Sequence, residues 1–171
     1  KSDKAEAASV AARLIEKDKV SVLVGSYGSS LSMAAGNIVK ENKVPAVGTS
    51  CTNPQVTANN DYYFRACFID PFQGTVMAKF ATAELGVGNA AILIDNSSDY
   101  AKGLAQFFKE NFVKEGGAVT AEESYLQKDT DFKATLTKIK ATNPDFLYVP
   151  GYYQEVGLIV KQARELGMNM P

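Results

Sequence analysis

Short apolar runs alternate with segments of helical periodicity along this chain, and that alternation restricts the fold more than any other feature. Val20 to Val24, Val44 to Val47, Ala90 to Ile94 and Phe146 to Val149 are each nearly continuous in apolar residues. Such runs belong to strands covered on both faces, as in parallel sheets. Between them apolar residues return at helical spacing, first at Ala7, Val10, Ala11, Leu14 and Ile15, then from Leu31 to Lys40, then at Leu104, Phe107, Phe108 and Phe112. Tyr62 to Phe68 and Val119 to Tyr125 read as extended. Asp70-Pro71-Phe72-Gln73 opens a helix to Leu85, with Asp70 as cap and proline in the first turn. Phe132, Leu136 and Ile139 mark a short helix closed by Asn143-Pro144, and Val156 to Leu166 a last one. The expected fold class is α/β with parallel sheets and right-handed crossovers. Turn-rich Asn53 to Asn60 is the candidate boundary.

Composition narrows the chemistry. The 171 residues include no histidine, so Ser-His and Cys-His couples, His metal ligands and imidazole acid–base catalysis are all excluded. Lys and Arg total 18 against 19 Asp and Glu, a net charge of −1 without a basic run, which argues against nucleic acid as a partner. No apolar stretch approaches the ~18 residues of a membrane span. Cys51 and Cys67 have neither Cys-x-x-Cys nor zinc-ligand spacing. They read as two small buried hydrophobes or as a bridge in an exported protein.

The residues that follow each strand carry the functional signal. Gly25-Ser26-Tyr27-Gly28-Ser29-Ser30 follows the first run, Gly48-Thr49-Ser50-Cys51-Thr52 the second, Asp95-Asn96-Ser97-Ser98-Asp99-Tyr100 the third and Pro150-Gly151-Tyr152-Tyr153 the last. Ligands of open parallel sheets bind outside the carboxyl ends of strands. Turn and capping needs alone also enrich such loops in Gly and Ser. The first loop opens a helix, whose N–H groups and dipole favour an anion. It lacks Gly-x-Gly-x-x-Gly and any Gly-Lys-Ser/Thr, so a dinucleotide or polyphosphate is not indicated. Without a Lys or Arg in the loop, a single carboxylate fits better. Asp95 and Asp99 read as a polar loop with Asp99 capping the next helix, in preference to a cation site. The Lys-rich stretch from Lys128 to Lys140 reads as a solvated helix face.

At these loops the chain resembles periplasmic binding proteins of the leucine/isoleucine/valine-binding type, the receptors of amino-acid ABC transporters. The likeness rests on Ile15-Glu16-Lys17-Asp18-Lys19-Val20, the Gly25–Ser30 loop, Thr52-Asn53-Pro54, Phe72-Gln73-Gly74, the Asp95–Gly103 stretch, Thr130-Asp131-Phe132, Pro150-Gly151-Tyr152-Tyr153 and Gln162-Ala163-Arg164-Glu165-Leu166-Gly167. The resemblance implies two Rossmann-like lobes with parallel sheets, the type I periplasmic binding protein fold, here incomplete at both ends. Residues 1–67 would be the second half of lobe one and residues 68–171 the first half of lobe two. The acidic partner of the ligand ammonium would lie beyond Pro171.

Carried over residue by residue, the resemblance assigns the ligand carboxylate to Ser29. The Ser50 carbonyl would meet the ammonium, Thr52 both groups, and Tyr100 and Tyr152 would cover the side chain and ammonium. It implies an extracytoplasmic receptor, periplasmic or lipid-anchored at the cell surface, that binds an aliphatic, branched-chain-like amino acid. It implies a monomer delivering ligand to a membrane permease, without enzymatic activity, catalytic residue, metal or cofactor. The rival readings are a sensor or transcriptional-regulator core on the same lobes, and an α/β enzyme of the flavodoxin or hydrolase sort. Ser29, Ser50 and Thr52 precede the candidate boundary and Tyr100 and Tyr152 follow it, so tyrosines acting as a clamp would be solvent-exposed in an open form.

Overall fold

The computed structural model describes residues 3–171. The chain separates into two compact units, Lys1–Asp70 and Pro71–Pro171. Asn53 to Asn60, the expected boundary, lies inside the first, where it forms a 3-10 turn at Pro54–Val56 and buries Val56.

The first unit runs α1 (Lys4–Glu16), β1 (Leu23–Val24), α2 (Ser29–Asn42), β2 (Ala46–Gly48) and β3 (Tyr63–Arg65). Asp3 caps α1 by accepting from the Glu6 N–H at 2.8 Å. The strands form one parallel sheet in the order β1-β2-β3, with Leu23 opposite Ala46 and Gly48 opposite Arg65. Ile15, Val39, Ala46, Cys51, Val56 and Tyr63 make its core. The run from Val20 to Val24 departs from expectation. Only Leu23 and Val24 form strand, and Val24 is 78% exposed. Among the described residues β1 pairs with β2 alone.

From Pro71 the second unit holds the rest of α3 (Asp70–Lys79), which passes into a π-helical turn at Phe80–Glu84. It continues through β4 (Asn89–Asp95), α4 (Asp99–Lys114), β5 (Ala118–Tyr125), α5 (Lys133–Ala141), β6 (Phe146–Tyr148) and α6 (Tyr153–Glu165). The sheet is parallel in the order β5-β4-β6. Central β4 explains its unbroken apolar run. Ala90 and Ile92 pack on one face with Leu104, Phe108 and Phe112 of α4. Ala91 and Leu93 pack on the other with Leu136, Ile139 and Ile159 of α5 and α6. A side-chain period of two with both faces buried leaves no polar position.

Two capping expectations are corrected. Ser98, not Asp99, caps α4, its Oγ accepting from the Ala101 N–H at 3.2 Å, while Asp99 sits in the first turn and pairs with Lys102 at 3.3 Å. Asp70 is the first residue of α3 itself, and its buried carboxylate accepts no hydrogen bond. The lysines of α5, Lys133, Lys138 and Lys140, are exposed, as a solvated face requires.

Candidate functional site

In the first unit the loops that leave β1 and β2 are stitched together. After β1, Gly25 takes a φ of +129°, a region that favours glycine, and Ser26 Oγ accepts from the Gly28 N–H at 3.1 Å. Gly28 then enters α2 in extended conformation without a side-chain cap. Ser29 is 1% exposed, and its Oγ accepts from the Asn53 N–H at 3.1 Å. Ser50 is exposed and donates its hydroxyl to the Tyr27 carbonyl at 3.1 Å. From β3, the buried Tyr63 hydroxyl donates to the Gly25 carbonyl at 2.9 Å. Burial holds that phenol above its ordinary pKa.

Ser29, Ser50 and Thr52 therefore stand on two joined loops at the carboxyl ends of adjacent parallel strands. Their side chains differ in access. Ser50 alone of the three is exposed, whereas Thr52 is buried with no hydrogen bond to its hydroxyl. The Thr52 carbonyl accepts from the Asp70 N–H at 3.0 Å. Burial dominates and raises the Asp70 pKa, against the smaller effects of Thr52 and of the Arg65 charge.

In the second unit the ends of β4 and β6 lie side by side. Tyr100 stands in the first turn of α4 and Tyr152 is the N-cap residue of α6. Their ring centroids are 5.6 Å apart at an interplanar angle of 38°. Both rings are half-buried, less open than the exposure expected of them without ligand, because they cover each other and Tyr100 packs on the Phe108 cluster. Behind them, Asp95 Oδ1 accepts from the Ser97 N–H at 2.9 Å. Burial raises the Asp95 pKa, opposed by Ser97 and reinforced by Glu155. Tyr125, at the end of β5, buries a hydroxyl with no hydrogen-bond partner, pushed up by burial and then by the Asp95 and Glu155 charges.

Sequence reasoning missed the buried polar residues that fasten these loops. Glu155 Oε1 accepts from the Lys128 N–H at 2.8 Å. Gln162 Oε1 accepts from the Phe132 N–H at 2.7 Å, while its amide donates to the Thr130 carbonyl at 2.8 Å. Arg65 does the equivalent for the loop after β2. Its one visible signal was a cation directly after the aromatic run Tyr62-Tyr63-Phe64. Both cysteines are free thiols, Cys51 buried and Cys67 half-buried, with the Cys67 thiol raised by burial and then by Cys51. Among the described residues no cluster of three or more His, Cys, Asp or Glu is arranged to hold a metal ion. Nor is any helix among them long and apolar enough to cross a membrane.

Comparison with known proteins places the chain and its fold. The "Amino acid binding protein" of Pseudomonas aeruginosa is 32% identical over 165 residues, covering 96% of this chain and 44% of that protein. A leucine binding protein, LivK, from Thermotoga maritima superposes with a TM-score of 0.97 at 44% identity, over 99% of this chain and 48% of its own. The branched-chain amino acid transporter substrate binding protein LivJ from Streptococcus pneumoniae, solved with isoleucine, gives a TM-score of 0.91 at 40% identity, with coverage of 99% and 48%. The chain thus spans less than half the length of these relatives. The family profile described as periplasmic binding protein matches residues 1–171 without a gap at either end, and the chain belongs to that family.

Proposed function

We propose that this chain is the central part of an extracytoplasmic receptor that binds an aliphatic, branched-chain-like amino acid and delivers it to an ABC transporter. In this reading Lys1–Asp70 is the second half of lobe one and Pro71–Pro171 the first half of lobe two. The receptor is a monomer with no catalytic step, and its macromolecular partner is the membrane permease. The observation that carries the reading is the 40% identity, across 99% of this chain, to a binding protein that holds isoleucine.

The local geometry supports a division of labour. Ser29 stands at the entry of α2, where a hydroxyl proton and backbone N–H groups converge on one anion. Its oxygen accepts from Asn53 while its O–H proton supplies the donor that a carboxylate needs. The Ser50 carbonyl serves the ammonium end, and Thr52 serves both the ammonium and the carboxylate. Tyr100 and Tyr152 supply apolar ring area plus two hydroxyls against an aliphatic side chain. A ligand that engages both sets of residues favours the closed form of the receptor by its differential affinity for that form.

Titration calorimetry of the full-length receptor with leucine, isoleucine, valine, glutamine and benzoate tests the proposal. Tight binding of the three branched-chain amino acids, with glutamine and benzoate at least about 100-fold weaker, a gap of roughly 2.8 kcal/mol, is expected. Benzoate bound as tightly as leucine would remove the amino-acid assignment.

A further inference from the structure

Arg65 closes β3, where the parallel register sets it opposite Gly48, the last residue of β2. Its half-buried guanidinium makes four hydrogen bonds, all to the segment that follows β2. Nη1 donates to the carbonyls of Cys51 and Asn53, both at 2.9 Å. Nη2 donates to the Pro54 carbonyl at 3.1 Å and to Thr57 Oγ1 at 2.7 Å. Two of these carbonyls, of Asn53 and Pro54, also accept the Val56 and Thr57 N–H groups of the 3-10 turn at 3.1 and 3.3 Å, so the guanidinium fastens from outside a turn that the backbone closes from within. A guanidinium presents its N–H groups in a fixed planar fork, so it sets the mutual orientation of those carbonyls, which a lysine ammonium on a flexible stem does not. Two further bonds, Asn53 N–H to Ser29 and Asp70 N–H to the Thr52 carbonyl, hold the same loop from its other side. Arg65 closes no ion pair with Asp70, whose carboxylate is without a hydrogen-bond partner, so its donors are committed to the loop.

We propose that Arg65 is the positioning residue of the first-unit half of the ligand site. It holds the Cys51–Thr57 segment in the conformation that presents the Ser50 carbonyl and Thr52 to an amino acid. The inference rests on the receptor function proposed above. Its consequence is kinetic. A loop that visits the competent conformation a tenth of the time lowers apparent affinity about tenfold. Because the bound loop is the same loop, that loss belongs to the association rate, whereas a lost ligand contact acts mainly on dissociation.

The test is stopped-flow binding of isoleucine to the full-length receptor as wild type, Arg65→Lys and Thr57→Val. Binding by the wild type is the check on the receptor function itself, and its failure would overturn that reading and this one together. Given wild-type binding, Arg65→Lys is expected to associate about tenfold more slowly with dissociation unchanged within about twofold. Thr57→Val, which removes only the side-chain acceptor, is expected to show a smaller slowing of the same step. An unchanged association rate in folded Arg65→Lys overturns the proposal, as does a loss confined to dissociation. If Arg65→Lys does not fold, Thr57→Val decides by the same two criteria.

Discussion

Replacing Ser29 by alanine separates a structural role from a binding one in a single residue. The hydroxyl is 1% exposed and accepts from the Asn53 N–H at 3.1 Å, so alanine leaves a buried donor without a partner. That costs about 1–3 kcal/mol, since the N–H loses the acceptor and gains no water. At a urea slope of about 2–3 kcal/mol/M, the unfolding midpoint of the ligand-free full-length receptor should fall by roughly 0.3–1.5 M with the slope unchanged. The same hydroxyl donating to a carboxylate is worth about 1.5–3 kcal/mol, so isoleucine affinity should drop about ten- to a hundredfold. The two losses are independent in the assay, because a protein stable by about 5–15 kcal/mol remains folded after losing about 3. Urea denaturation and calorimetry on the same preparation read both. A lower midpoint with unchanged affinity would make Ser29 a fastener between two loops and remove it from the ligand site. An unchanged midpoint would refute the reasoning from burial.

Asp70 carries a pKa raised by burial, so its contribution to stability is present below the unfolded carboxylate value of about 3.9 and is lost as pH rises through the higher folded value. Asp70→Asn should therefore melt above wild type at pH 7, with the gap closing toward pH 4; a lower melting temperature at pH 7 would contradict this. Tyr125→Phe removes a buried hydroxyl that has no hydrogen-bond partner and should stabilise the protein by about 1 kcal/mol, read as a raised urea midpoint. Tyr152→Ala loses the ring contact to Tyr100, worth about 0.5–1.5 kcal/mol of ligand-free stability, and should weaken isoleucine binding measured by calorimetry. Normal binding with reduced stability would leave Tyr152 as a packing residue only.

Much of this molecule was legible because its information is local. The unbroken run in β4 follows from one strand between two helical layers, and Leu104, Phe108 and Phe112 recur at the period that places them on one buried face of α4. The strand-end loops were legible for the same reason, since parallel strands deliver their carboxyl ends to one edge of the sheet. Local chemistry misled where near-equivalent residues compete. Ser98 and Asp99 are both good caps, and only the backbone geometry of Ser98 selects between them.

What the sequence determined by itself is therefore periodicity: which segments are helix, which are parallel strand, and where the loops between them cluster. Tertiary structure alone decided how the loops are held. Nothing near Arg65 announces that its fork will close on carbonyls from Cys51 to Pro54, and nothing near Ser29 announces Asn53. Burial of Asp70 and Tyr125 without hydrogen-bond partners is likewise invisible in their neighbours. A hydrogen bond or a desolvation penalty depends on distance in space, and residues that the sheet register brings together have no fixed separation along the chain.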